Sequence, residues 1–120
     1  MILNVRSEKN LAGVNDDLVK VVRLAAEKTE VDFIVTEGLR TKERQAKLVA
    51  AGASQTMNSK HLVGRAVDLA AVVEGEVRWD WPLYHKLAKA MKDAANELGV
   101  KIVWGGDWKR FKDGPHFELA

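Results

Sequence analysis

The sequence predicts an α+β domain in which helices pack on a small antiparallel sheet. Two helical stripes carry half of that prediction: Leu18, Val21, Val22 and Ala25 recur at helical spacing, and so do Leu83, Leu87, Ala90, Met91, Ala94 and Leu98. Between and after them lie short β-branched or alternating runs at 31–36, 66–73, 101–104 and 115–119. A tight Glu74-Gly75 turn then lets Glu76-Val77-Arg78 fold back on 66–73 as a hairpin. With 120 residues, 47% of them hydrophobic, the chain suits one domain with a proper core.

Taken in order, residues 1–14 read as an irregular lead-in ending near Gly13. Asn15 is an N-cap for a helix over 16–28, and Asp16 and Asp17 oppose its positive end. Val31–Thr36 follows as a strand, and Glu37-Gly38-Leu39-Arg40 turns out of it. Thr41 caps a helix over 42–51 that Gly52 closes. Arg40 therefore falls at a strand-to-helix junction, a common place for site residues. Residues 53–60 form a polar loop. Asp80 caps the long helix that runs to Gly99, with Pro82 in its first turn. His85 lies off the apolar stripe of this helix and reads as an exposed residue, not a ligand. Gly105-Gly106 turns the backbone after the strand 101–104, and Trp104 and Phe111 read as core aromatics.

Composition removes several classes. The net charge of +2 gives no nucleic-acid footprint. There is no cysteine, so disulfides, thiolate metal sites and cysteine nucleophiles are excluded, and any metal must use His, Asp or Glu. No apolar run approaches the roughly 20 residues that span a bilayer. Met1–Arg6 lacks the apolar core of a signal peptide, which implies synthesis in a cytoplasm without an export signal of its own. No separate binding module fits this length, and a monomer is expected.

Two segments far apart in sequence carry the chemistry: Ser59-Lys60-His61-Leu62-Val63-Gly64-Arg65-Ala66-Val67-Asp68, and Trp104-Gly105-Gly106-Asp107-Trp108 running on to Asp113-Gly114-Pro115-His116-Phe117-Glu118. In strand 66–70, Val67 and Leu69 face the core while Asp68 shares the other face with Ala66 and Ala70, small residues that leave room beside the carboxylate. In 116–119 the same alternation buries Phe117 and Leu119 and turns His116 and Glu118 to the polar side. Two imidazoles and one carboxylate leave a fourth tetrahedral position open, the layout of a catalytic zinc site. His61, Asp68 and His116 are therefore the expected Zn2+ ligands. Asp107, Asp113 and Glu118 are all candidates for the base, with Glu118 also suited to orienting His116 through its second ring nitrogen.

These motifs resemble the zinc D-alanyl-D-alanine carboxypeptidase / L-alanyl-D-glutamate peptidase family, most of all the bacteriophage endolysins that cut L-alanyl-D-glutamate bonds. The resemblance runs from about Thr36 to the C-terminus and implies the hedgehog/D-Ala-D-Ala peptidase-like fold. It implies that Asp113 is the catalytic base and that Arg40, in a similar Gly-x-Arg-Thr, stabilises the substrate carbonyl or the tetrahedral intermediate. Ser59 and Trp108 are assigned to substrate binding. The implied partner is the peptidoglycan stem peptide, reached after a holin opens the host membrane. The alternatives are a D-alanyl-D-alanine carboxypeptidase of the same family and a zinc-stabilised peptidoglycan-binding module without activity. A non-haem Fe(II) oxygenase would use the same donor types, but such sites place His and carboxylate closer than His61 and Asp68.

Overall fold

The computed structural model describes residues 1–54 and 56–120. Its elements are α1 (Val5–Leu11), α2 (Asp16–Lys28), β1 (Asp32–Glu37), α3 (Lys42–Ala50), β2 (Ala66–Val73), β3 (Glu76–Arg78), α4 (Trp81–Leu98), β4 (Ile102–Trp104) and β5 (His116–Leu119). All strand pairings are antiparallel, in the order β1-β2-β5-β4 with β3 on β2. β1 holds one edge of β2, while β5 and β3 take successive stretches of the other.

Local chemistry sets most of the boundaries. Asn15 Oδ1 accepts from Asp17 N at 2.9 Å, and Thr41 Oγ1 accepts from Arg44 N at 3.1 Å, each satisfying an amide that the first helical turn leaves free. The β2–β3 turn puts both Glu74 (φ 51°) and Gly75 (φ 80°) in the left-handed region, the type I′ geometry that suits a two-residue hairpin. Residues 53, 54 and 56–59 form the loop expected there and Lys60 opens a 3-10 turn, Gln55 lying outside the described residues.

Three expectations are corrected. Residues 1–14 are not an irregular lead-in, because Asn4 Oδ1 accepts from Ser7 N at 2.8 Å and caps α1. Only Ser7 and Leu11 of α1 are buried, too short a pattern to announce a helix. The buried face of α4 keeps Leu87, Ala90, Met91 and Ala94 of the expected stripe but adds Tyr84, Ala88 and Ala95, with Leu98 left 42% exposed. Tyr84 sets that rotation: its hydroxyl donates to Arg78 O at 2.8 Å and accepts from Ala71 N at 3.1 Å, tying α4 to the sheet. Asp80 sits at the N-cap position, but its carboxylate takes Arg78 Nη2 at 2.7 Å instead of a helix amide.

The sheet has two faces of different character. Phe33, Val35, Val67, Leu69, Ala71, Phe117 and Leu119 point into one core with α2 and α4. Asp68, His116 and Glu118 point the other way. A bulge in β1 adds Glu37 to this polar face. Phe33 pairs with Ala71 and Val35 with Leu69, all core residues, but the register then shifts so that Glu37 stands opposite Asp68. One extra residue reverses the alternation and brings a carboxylate out of the core line. α1 braces this irregular stretch: Ser7 Oγ accepts from Val35 N at 2.9 Å, and Asn10 Nδ2 donates to Val35 O and Thr36 O at 2.8 and 3.2 Å.

Candidate metal centre and active-site cleft

His61, Asp68 and His116 come together on the polar face. Asp68 and His116 are directly paired across β2 and β5, so their side chains share one side of the sheet. Ala66 and Ala70, both fully buried, flank Asp68 and leave the imidazoles space. His61 arrives on a 3-10 turn, Lys60–Val63, which Ser59 Oγ caps by accepting His61 N at 3.2 Å and Gly64 closes at φ 70°. His61 Nε2 lies 3.3 Å and His116 Nδ1 3.4 Å from the same oxygen, Asp68 Oδ1. One ligand atom from each residue falls within 4.8 Å of the others.

The outer hydrogen bonds decide which nitrogen faces the centre. His61 Nδ1 is 2.8 Å from Gly38 O, a carbonyl that only accepts, so that nitrogen carries the proton and Nε2 presents a lone pair. His116 Nε2 is 2.7 Å from Glu118 Oε1, which leaves Nδ1 as the inward lone pair. Three acceptors thus converge with no donor among them, an arrangement that a divalent cation satisfies. The titration shifts report the same crowding of acceptors. Burial disfavours the charged forms of both Asp68 and His116, yet their mutual hydrogen bond and charge win. His116 is raised above 6.5, with Glu118 adding to the effect, and Asp68, facing His61 as well, is held far below the ordinary carboxylate range. The donor set, two imidazoles and a carboxylate with no thiolate, fits Zn2+.

Gly38, Lys60 and Glu118 hold this group in place, and of these only Glu118 is expected from the sequence to do so. Gly38 is fixed by close packing, since a Cβ there would lie 2.1 Å from Asn10 O. Its carbonyl grips His61 Nδ1 while Arg40 N donates to His61 O at 2.9 Å, so one short segment clasps the histidine at two points. Gly38→Ala is expected to cost about 1–3 kcal/mol of stability by overpacking, read as a lower denaturant midpoint, and to weaken zinc binding by displacing His61. On the other ligand, Glu118 receives Lys60 Nζ at 3.0 Å, tying the two motifs together. Burial pushes Glu118 up, but the His116 and Lys60 hydrogen bonds hold it below the usual range. Glu118→Ala should reduce zinc affinity about 10–100-fold, the usual effect of losing a ligand's outer partner, measured by competition with a fluorescent chelator.

Arg40, with a side chain only 7% exposed, is heavily engaged. Its Nε and Nη2 fork onto both oxygens of Glu37 at 2.7 and 2.8 Å, its Nη1 donates to Gln45 Oε1 at 2.7 Å, and Nη2 stands 3.5 Å from Asp68 Oδ2. Burial raises Glu37, and the Arg40 hydrogen bond and charge more than offset this. Gln45, fully buried on α3, links this fork to Ser54 and Thr56. Glu37 gave no signal because its direction depends on the bulge. Gln45 gave none because its helix lacks a strong apolar face.

An open cleft of about 790 Å³ lies over the ligand group. Arg40, Ser59, Trp108 and Asp113 all line it. The Trp108 ring is tilted against His116 with centroids 5.0 Å apart. Asp113 is placed by backbone alone: its N donates to Gly105 O at 3.0 Å, and its O accepts from His116 N at 3.2 Å. A Cβ on Gly105 would lie 2.4 Å from Asp113 O, so the Gly105 glycine permits close approach. Trp104 Nε1 completes the support by donating to Gly114 O at 2.7 Å. Burial raises Asp113, and the negative charge of Asp68 raises it further against the pull of His116, His61 and Arg40.

Asp107 and Phe111 are placed differently. Asp107 pairs with Lys92 at 2.7 Å, is largely exposed and does not line the cleft. Phe111 is not a core residue: it is 69% exposed, has a left-handed backbone (φ 51°) and lies on the cleft rim. Trp104 is buried as expected, and His85 is exposed, its ring edge-on to Trp104.

The vancomycin-resistance D,D-dipeptidase VanXYg superposes with a TM-score of 0.62 at 19% identity, covering 88% of this chain and 50% of that one. The chain therefore has the fold of the D,D-peptidases. Closer comparisons narrow this. A family model described as phage L-alanyl-D-glutamate peptidase matches residues 1–120. The L-alanyl-D-glutamate peptidase of Escherichia phage T5 is 38% identical over 129 aligned positions, spanning 95% of this chain and 94% of the relative. The crystal structure of the Serratia marcescens L-Ala D-Glu endopeptidase ChiX matches with a TM-score of 0.92 and 52% identity, covering 97% of this chain and 87% of that one. The chain belongs to the phage L-alanyl-D-glutamate peptidase family.

Proposed function

We propose that the protein is a zinc-dependent endopeptidase that hydrolyses the L-alanyl-D-glutamate bond of peptidoglycan stem peptides, and that it serves in host-cell lysis. The observation that carries this reading is the convergence of His61 Nε2, His116 Nδ1 and Asp68 Oδ1, with Asp113 on the wall of the same cleft. When bound, Zn2+ supplies Lewis acidity to the scissile carbonyl and brings the pKa of water toward about 7.

The chain's own residues do the rest. Asp113, with its raised proton affinity, takes the proton of the attacking water and passes it to the departing amine of D-glutamate. Glu37 and Gln45 take three of the five N–H groups of Arg40, and Asp68 Oδ2 stands 3.5 Å from Nη2, which leaves an Nη1 N–H to meet charge on the carbonyl oxygen. Trp108 and Ser59 line the cleft beside the ligands and position the stem peptide. Synthesis in the host cytoplasm and release to the wall through a holin-opened membrane complete the proposed role. Among the described residues, no helix is long and apolar enough to cross a membrane.

The reading is tested by labelling new amines in a digest of purified peptidoglycan and identifying them by mass spectrometry. Label on D-glutamate, lost with a chelator and restored by zinc, is the expected result. Release of free D-alanine would assign a carboxypeptidase instead. No new amine from zinc-loaded protein would leave a binding module.

A further inference from the structure

The surface beside the cleft holds a second recognition feature. Adjoining the cleft lies a smaller pocket of about 190 Å³, formed by Trp79, Trp81, Tyr84 and Pro115, and Lys112 and Asp113 line both cavities. Trp79 is 62% exposed and Trp81 45%. Both indoles are nevertheless held. Trp79 stacks on Tyr84, with centroids 6.0 Å apart and planes 2° from parallel, and Tyr84 is anchored by its two hydrogen bonds. Trp81 stands edge-on to Trp104 at 6.4 Å, and Gly114 lies close beneath it, with space for a Cβ only 3.2 Å from the indole. Two ordered aromatic rings left this open do little for the core, and clustered exposed apolar surface of this kind marks a binding groove.

Flat aromatic faces with a polar rim suit a pyranose, which offers a face of C–H groups edged by hydroxyl and amide groups. The substrate supplies such a ring at the right place. In peptidoglycan the L-alanine of the stem is joined through a lactyl group to a sugar of the glycan strand. That sugar lies about two residue lengths, roughly 7 Å, from the L-alanyl carbonyl. Asp113, which acts at that carbonyl, is also a wall of the aromatic pocket.

We propose that the Trp79–Trp81 pocket is a glycan subsite that binds the N-acetylated pyranose bearing the stem peptide, on the L-alanine side of the scissile bond. This rests on the L-alanyl-D-glutamate reading above, and it makes the enzyme selective for stems still attached to glycan.

The test compares kcat/KM for a soluble disaccharide-linked stem peptide and for the same peptide without sugar. The wild type should prefer the sugar-linked substrate by about tenfold or more, the usual weight of one well-packed aromatic contact. Trp79→Ala should erase most of that preference and cut the bare peptide at the wild-type rate, while Trp79→Phe should keep much of it. An unchanged preference in Trp79→Ala would overturn the proposal. Equal loss on both substrates would also overturn it, since Trp79 would then be structural. Failure of the parent reading looks different, because the wild type would cut neither substrate. The subsite is then read by tryptophan fluorescence titrated with the N-acetylglucosaminyl–N-acetylmuramic acid disaccharide. Saturable quenching in the wild type that is lost in Trp79→Ala supports it; no response in the wild type overturns it.

Discussion

Asp113→Ala should bind one zinc as the wild type does and lose about 10²–10⁴-fold in kcat, the range that positioned acid–base groups contribute. The separation of binding from turnover follows from geometry. The backbone of Asp113, not its carboxylate, supports His116 and meets Gly105, so truncating the side chain leaves the ligands in place. Its carboxylate lines the cleft, where burial and the nearby Asp68 charge raise its proton affinity. Asp113→Asn should be as inactive as Asp113→Ala, because the amide keeps the shape but takes no proton. Zinc content by elemental analysis and initial rates on the same preparation check both statements. Full activity in Asp113→Ala would move the base to Glu118, although Glu118 is engaged by His116 and Lys60.

Loss of either imidazole should have a still larger effect. His61→Ala and His116→Ala are expected to lose zinc at micromolar concentrations and turnover by about 10³-fold or more, since several kcal/mol of charge stabilisation goes with the metal. Both side chains are buried, so each substitution also leaves a gap and a stranded partner, Gly38 O or Glu118. A stability loss alone would therefore prove little. The informative quantity is the zinc-dependent rise in melting temperature. Binding at one hundred times Kd stabilises the wild type by about 2.7 kcal/mol, and both variants should show no such rise. A variant that still melts higher with zinc would remove its histidine from the ligand set.

Much of this centre was legible in the chain. The alternation Val67-Asp68-Leu69 and Phe117-Glu118-Leu119 fixes which side chains leave the core, and a register pairing Asp68 with His116 turns that alternation into a site. The glycines of Trp104-Gly105-Gly106 were also visible, though their reason lies in close approach to Asp113 and the Trp104 ring. What the sequence hid depends on irregular geometry. Glu37 joins the polar face only because β1 bulges, and no local pattern marks that step. α1 was missed because seven residues with two buried positions carry no periodicity, yet its Asn10 presses on the Gly38 that orients His61. Phe111 was misread because an aromatic residue looks like core until a left-handed backbone turns it outward.

The most direct test of the account is the anomalous-scattering map of zinc-loaded protein crystals at the zinc edge. One peak should lie among His61 Nε2, Asp68 Oδ1 and His116 Nδ1, with Zn–N distances of about 2.0–2.1 Å and the outer nitrogens still on Gly38 O and Glu118. A peak elsewhere, or zinc held by His61 Nδ1 or His116 Nε2, would contradict both the ligand set and the proposed role of the carbonyl and carboxylate behind it.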